Sequence, residues 1–448
     1  MASSQLKTGS RADATAAGGF RAVAPVLALC WLSVFFDGMD VNIYGAVMPY
    51  MLKDHGLGLT TGLAGTIGSW TTFGMLIGAL VAGSVTDWLG RRPLLTVSVL
   101  LFSAGSAVCA LANGVTTFGA GRFLAGLGLG GLMPLCLAMV MEFAPKGKVA
   151  LATGVLMTSY HSGGMAATGL GLSIAPSHGW RWVFAAGAAP ALVAVPLLLR
   201  FLPESPAALL AGGRRAAADA VADRYGLARP VAPEARATGA RGRWESILAL
   251  FGPGFRWATP LLWAASFCGL LLVYGVSTWL PQLMRASGYG LTDSVTFLLV
   301  VNAGGIVGML FAGRIADRFG PARISGLFFA FTAVGVLLLN SHLPLAATYV
   351  MVGVTGVWLF SAQTMVYAAA NAIYSSDKRA TGLGWVTGVG RFGAVVGPSL
   401  AGSLVAGGRQ DLGFTAFAVA GVLGAVLVTL AQFAARIGAR RPVVAAAV

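Results

Sequence analysis

Charge is what this chain lacks most: only 10% of its 448 residues are Asp, Glu, Lys or Arg, and mean hydropathy is +0.79. No water-soluble fold of this length hides that much apolar surface, so a soluble enzyme or scaffold is excluded and a polytopic membrane protein remains. Cysteine is equally scarce. Cys30, Cys109, Cys136 and Cys268 all fall inside apolar runs, where a thiol acts as a small hydrophobe, which removes a disulfide framework and a cysteine metal site. The chain has neither H-E-x-x-H nor G-x-S-x-G, and its few acids do not form a two-helix aspartate pair, so an intramembrane hydrolase has no machinery. The basic excess, +15, is scattered over short loops rather than gathered on one face, which argues against nucleic acid as a partner.

What is present is a set of long apolar runs. They fall near 24–52, 62–86, 93–112, 117–142, 149–175, 180–201, 257–284, 294–314, 322–340, 344–372, 380–406 and 413–435. Each is long enough to cross about 30 Å of hydrocarbon. Twelve spans place both termini on one side. With that side cytoplasmic, 24 Lys/Arg lie in cytoplasmic segments and only Lys53, Arg181, Arg285 and Arg409 lie outside, as the positive-inside rule requires. The polar start lacks a signal-peptide pattern. The expected plan is an all-α membrane protein: a cytoplasmic N-terminal segment at 1–23, a six-helix bundle at 24–202, a cytoplasmic linker at 203–255, a second bundle at 256–435 and a tail at 436–448.

The two bundles are copies of one unit. GSVTDWLGRRP at 83–93 returns as GRIADRFGPAR at 313–323, with Gly83, Asp87 and Gly90 matched by Gly313, Asp317 and Gly320. Ala152-Thr153-Gly154 likewise returns as Ala380-Thr381-Gly382. A duplicated membrane bundle is a transporter architecture. In the first loop, Asp87 can face the positive N-terminus of a neighbouring helix while Arg91 and Arg92 reach a carboxylate such as Glu142, forming a latch that breaks in another conformation; an ordinary turn in a basic loop is the plain alternative.

Of fifteen acidic residues only Asp37 and Asp40 sit well inside a span. Spaced i, i+3, they share a helix face with Tyr44. Carboxylates in an apolar helix must be paired, solvated or protonated, so this pair is the candidate proton carrier, with a static ion pair to Arg122 as the alternative. Arg122 and Arg391 lie inside spans, and each needs an anionic partner. At 1.5 Å per residue Arg391 stands about 18 Å from the start of its span, near mid-membrane, a depth suited to a substrate carboxylate or to backbone carbonyls at a break near Pro398. His161 falls near mid-span and can relay protons, bond a substrate or bridge helices. Tyr274, Thr278 and Gln282 form one polar stripe and Gln363, Tyr367 and Asn371 another; beside Trp279, Trp358 and Phe360 they can line a cavity for an aromatic ring, or bond between helices. The run from Gly126 to Gly131 satisfies G-x-G-x-x-G but follows no strand, so it reads as helix packing rather than a nucleotide loop.

DGMD in the first span, GSVTDWLGRRP, RFLAGLGLGGLMP, the PES after the sixth span and RATGLGWVTGVGRFGAVVGP together resemble the aromatic acid:proton symporter family of the major facilitator superfamily. The resemblance covers nearly the whole chain. It implies the major facilitator fold, twelve helices in two pseudosymmetric six-helix bundles. It also implies proton-driven import of an aromatic carboxylate of the benzoate or hydroxybenzoate class across a bacterial inner membrane, by a functional monomer with no cofactor beyond the proton gradient. Asp37 and Asp40 match the family's acidic pair. Arg122, Arg379 and Arg391 match its arginines, and Asp87, Arg91 and Arg92 its gating loop, to which Glu142 and Asp317 are added here. Trp88 replaces the usual arginine, and SSDKRATG lacks the common Tyr-Pro. Competing readings are carriage of muconate or shikimate, a sensor, or a drug exporter, the last disfavoured because the fifth span lacks a Gly-Pro motif.

Overall fold

The computed structural model describes residues 5–145, 148–229, 245, 247–252, 254–341, 343–375 and 378–440. Residues 230–244 of the expected linker and the tail beyond Arg440 lie outside them. The first bundle comprises α1 (Gln5–Met51), α2 (Thr61–Leu89), α3 (Arg91–Ala110), α4 (Val115–Phe143), α5 (Val149–His178) and a sixth rod made of α6 (Trp180–Ala188) and α7 (Pro190–Phe201). Two short linker helices follow, α8 (Pro206–Ala211) and α9 (Arg215–Tyr225). The second bundle holds α10 (Ala258–Ala286), α11 (Leu291–Phe319), α12 (Pro321–Leu339), α13 (Leu345–Ile373), α14 (Arg379–Ala406) and α15 (Asp411–Arg440).

One expectation changes: helix α1 begins at Gln5 rather than near 24, although its apolar part, Val23–Met51, matches the expected span. Among the described residues, eleven of the twelve expected spans are helices long and apolar enough by composition alone to cross a membrane. The fifth expected span forms one 30-residue helix, α5, but Thr158, Ser159, Tyr160, His161 and Ser162 lower its hydropathy. That helix is sheltered by packing along α1 and α11; Tyr160 and His161 serve the interface described below, while Thr158, Ser159 and Ser162 bond carbonyls of their own helix.

The duplication is visible in the packing. In the first bundle α1 packs on α5, α2 on α4 and α3 on α4; in the second, α10 packs on α14, α11 on α13 and α12 on α13. The bundles meet through α2 with α14, α5 with α11 and α1 with α10. The repeated glycines Gly90 and Gly320 join α2 to α3 and α11 to α12 at φ of 90° and 91°, a left-handed backbone that side chains oppose. The G-x-G-x-x-G run packs as expected: a Cβ on Gly126 would stand 2.1 Å from Thr71 O, and one on Gly128 2.4 Å from Ser98 O, so α2 and α3 approach α4 at backbone distance.

At the corner of the first bundle between the loop at 52–60 and the start of α6, Asp54 accepts hydrogen bonds from Trp180 Nε1 (3.0 Å) and Arg181 Nη1 (2.8 Å). Burial pulls the Asp54 carboxyl upward, but these bonds, the guanidinium charge and the Gly56 N–H outweigh it and hold the group below its ordinary value. A lowered folded-state pKa gives stability that is present above the ordinary carboxylate range and lost as pH falls through the lowered value. The thermal midpoint gap between wild type and Asp54→Asn should therefore persist to about pH 4 and close only on further acidification.

Candidate functional site

Helix α1 carries both membrane-buried carboxylates, and the fold sends them to different arginines. Asp40 Oδ1 accepts from Arg122 Nη1 of α4 at 2.8 Å, and its other oxygen accepts a short hydrogen bond from Ser106 of α3. Asp40, Arg122 and Ser106 are all fully buried. The Arg122 guanidinium also lies over the rings of Tyr44, at 5.5 Å, and Phe184, at 5.7 Å. Tyr44, which shares the acidic face, points its hydroxyl to Ala64 O at 2.7 Å and supplies a ring rather than a proton to the cluster.

Asp37 is as buried as Asp40, but its Oδ1 has no hydrogen-bond partner among the described residues. Its strongest charged neighbour is Arg391 of the second bundle. Arg391 is half-buried, near the middle of α14, and donates to the Tyr274 hydroxyl of α10 at 3.3 Å. Tyr160 of α5 and Tyr367 of α13 complete the surroundings of this guanidinium. Gln363, one turn from Tyr367, donates to Ser266 at 3.2 Å, while its Oε1 has no partner. One carboxyl, one guanidinium and three phenols thus converge where the bundles meet, while the Gln363 amide oxygen lies against Gly269 of α10. The guanidinium can grip a carboxylate by two parallel bonds, the phenols can bond ring hydroxyls, and the carboxyl can carry a proton.

Other candidates lie elsewhere. Asn371 is exposed, one turn beyond Tyr367 towards the end of α13, away from the cluster. Trp279 is buried against α14, donating to Pro398 O at 2.9 Å, and Trp358 packs on Phe331, so neither reaches Arg391. His161 forms a clasp between the bundles instead of joining the guanidinium. Its Nδ1 lies 3.2 Å from Asn302 Oδ1 of α11, and Asn302 Nδ2 donates to Leu298 O (2.8 Å) and to Asn42 Oδ1 of α1 (3.2 Å). Because the Asn302 amide nitrogen is committed as donor, its oxygen must accept, so His161 Nδ1 carries the hydrogen. The ring also meets Phe360 at 4.3 Å. Gly164 and Gly305 leave room for the clasp: a Cβ on either would stand under 3 Å from Asn302 or His161.

Hydrogen bonds that join the bundles include this clasp and Ser69 Oγ to Val395 O at 2.5 Å. Both lie at mid-helix or in the halves nearer the loop at 52–60. Asn302→Ala should therefore loosen that end, raising the population in which the bundles stand apart there by about fivefold for a bond worth about 1 kcal/mol. Spin labels on cysteines placed at Lys53 and Arg409 should report a larger long-distance population in the variant.

At the opposite end the loop candidates form a network, though the side chains of Asp87 and Trp88 lie outside the described residues. Arg91 forms an ion pair with Glu142, whose other oxygen accepts a short bond from Ser205. Arg92 turns away from Glu142 to the Leu199 carbonyl. Glu204, from the PES segment, accepts the backbone N–H groups of Arg91 (2.7 Å) and Arg92 (3.2 Å) at the start of α3. Asp317 and Arg379 are exposed, without an ion pair among the described residues. Glu204→Gln should lower unfolding stability by about 1–2 kcal/mol, the worth of a charged N-terminal cap, while leaving substrate affinity unchanged. Thermal unfolding and equilibrium binding of the purified variant check both.

Comparison with known proteins places this geometry. Residues 30–365 and 303–446 match the Major Facilitator Superfamily. The chain is 34% identical over 417 residues to a gentisate transporter of Corynebacterium glutamicum, covering 92% of this chain and 87% of that protein. It is 31% identical to a benzoate transport protein of Acinetobacter baylyi, with 90% and 88% covered, and 34% identical to a gallate transporter of Pseudomonas putida, with 88% and 90% covered. Its fold superposes on the partially occluded, inward-open xylose transporter XylE of E. coli with a TM-score of 0.70 at 16% identity, over 91% of this chain and 99% of that one. The duplicated bundles, the buried charges and these relatives agree: the chain belongs to the Major Facilitator Superfamily, on the branch that holds these aromatic acid carriers, and it is a membrane transporter rather than an enzyme.

Proposed function

We propose that the protein imports an aromatic carboxylate of the benzoate or hydroxybenzoate class together with a proton, by alternating exposure of one central site. The observation that carries this reading is the half-buried Arg391 guanidinium at mid-membrane depth, facing Asp37 and ringed by Tyr160, Tyr274 and Tyr367. The substrate carboxylate pairs with Arg391, its ring lies among the phenols, and Asp37 takes up the proton that accompanies entry. Release of both to the cytoplasm resets the cycle. The carrier works as a monomer in a bacterial inner membrane, with both termini in the cytoplasm, and uses the proton gradient in place of a cofactor. Relatives that carry gentisate, benzoate and gallate support the substrate class, and the basic residues of the loops support the orientation.

Uptake by the purified protein in proteoliposomes, under an imposed pH gradient and with a labelled panel of benzoate, hydroxybenzoates, muconate and shikimate, tests this. Accumulation of the aromatic acids that a protonophore abolishes is expected. Preferential uptake of muconate or shikimate would move the substrate class, and exchange without gradient-driven accumulation would remove the proton.

A further inference from the structure

Beside the gating network, on the flank where α3 begins and α7 and α9 end, lies a cavity of about 420 Å³. Arg92, Arg200 and Arg224 line it with Phe201, Pro203 and Tyr225, and no acidic residue lines it among the described residues. The carboxylates next to its lining residues in sequence are committed elsewhere. Glu204 is occupied by the backbone N–H groups of Arg91, Arg92 and Ser205, and Asp223 pairs with Arg229 at 3.4 Å. Arg92 gives one guanidinium nitrogen to the Leu199 carbonyl, and Arg224 lies over the Tyr225 ring at 5.5 Å. Both guanidinium planes are thereby oriented while other N–H groups remain to donate. Three like charges around one cavity repel unless an anion sits among them.

The surroundings say which anion. Along α7, Leu192 (81% exposed), Val193, Leu199 and Phe201 present bare apolar surface that ends at Arg200 and the cavity. An apolar flank running into an arginine cluster at the end of a spanning helix is the setting of a lipid headgroup, with acyl chains along the flank and the phosphate at the arginines. Guanidinium forks match a phosphate's oxygens in pairs.

We propose that Arg92, Arg200 and Arg224 bind a phosphate group, that of an anionic phospholipid whose chains lie along α7. Because Arg92 sits in the same loop as the Arg91–Glu142 pair, an occupied site ties the gating network to the membrane surface.

The test uses the full-length protein, purified and delipidated in detergent, with dioleoyl phosphatidylglycerol, dioleoyl phosphatidylcholine and inorganic phosphate as probes and native mass spectrometry as the readout. Wild type should retain phosphatidylglycerol in preference to phosphatidylcholine. Arg200→Gln/Arg224→Gln, which keeps Arg92, should weaken retention about thirtyfold at about 1 kcal/mol per arginine, while Arg409→Gln, at the other end of the molecule, should retain the lipid as wild type does. If the double variant does not elute as a folded monodisperse protein, the single variants should each show about a fivefold loss. Equal retention by wild type and folded variants overturns the site. Displacement of phosphatidylglycerol by millimolar inorganic phosphate through the same arginines assigns the site to soluble phosphate and overturns the lipid.

Discussion

Asp40→Asn and Asp37→Asn, the same exchange three residues apart, should fail in different ways. Asp40 is bonded to Arg122 and Ser106 in a fully buried cluster. Removing its charge leaves the Arg122 guanidinium in the interior without a counter-ion, a loss of about 3–5 kcal/mol. The variant should unfold many degrees lower and reach the membrane in reduced amount. Arg122→Ala in the Asp40→Asn background should recover part of that loss, because it removes the stranded cation. Among the described residues Asp37 has no ion pair to break and one oxygen without a partner. An amide there fills the same space, so Asp37→Asn should keep the wild-type midpoint within about 1 kcal/mol, yet lose accumulation driven by a pH gradient because it cannot exchange a proton. Thermal unfolding separates the two variants, and uptake under an imposed gradient decides the role. Wild-type accumulation by Asp37→Asn would remove this residue from coupling and leave the proton to a group outside α1.

That division of labour was only partly legible in the sequence. Two acids at i, i+3 in an apolar helix announce themselves, as do arginines at 122 and 391, because a buried charge has few explanations. Spacing along one helix puts Asp37 and Asp40 on a common face, but it does not say that Asp40 turns to α4 of its own bundle while Asp37 turns to α14 of the other. The same limit explains His161 and Asn371. Both are polar residues in apolar runs, and only the packing of α5 on α11 shows that His161 meets Asn302. Asn302 was itself readable, as a lone amide in FLLVVNAGG, and Tyr160 lies next to a residue singled out for its chemistry. Glu204 was hidden for a different reason. A carboxylate in a loop looks solvated, and nothing in the order of residues shows that it caps a helix more than a hundred positions earlier. The bundles and the repeated turns were legible because hydropathy and a positive-φ glycine act locally; the site was less so because it is assembled from five helices.

Arg391→Lys should weaken transport about tenfold, and Arg391→Ala should weaken it further, by up to about 150-fold, the range expected when charge-assisted bonds worth about 1.5–3 kcal/mol are lost. The guanidinium is fixed by one bond to Tyr274 and carries no direct ion pair among the described residues, so most of its N–H groups are uncommitted. Lysine keeps the charge but cannot present two parallel donors to a carboxylate, and alanine leaves that carboxylate to the phenols alone. Tyr274→Phe provides a graded companion, because it frees the guanidinium without removing it and should cost only severalfold. Affinity for an uncharged amide analogue discriminates between recognition and architecture: it should already be weak in wild type and fall little further in Arg391→Ala. If acid and amide lose affinity equally, Arg391 holds α14 against α10 rather than gripping the anion. Arg122 is a poor substitute for that task, because its guanidinium is closed off by Asp40, Tyr44 and Phe184, and an anion could reach it only by displacing a buried carboxylate.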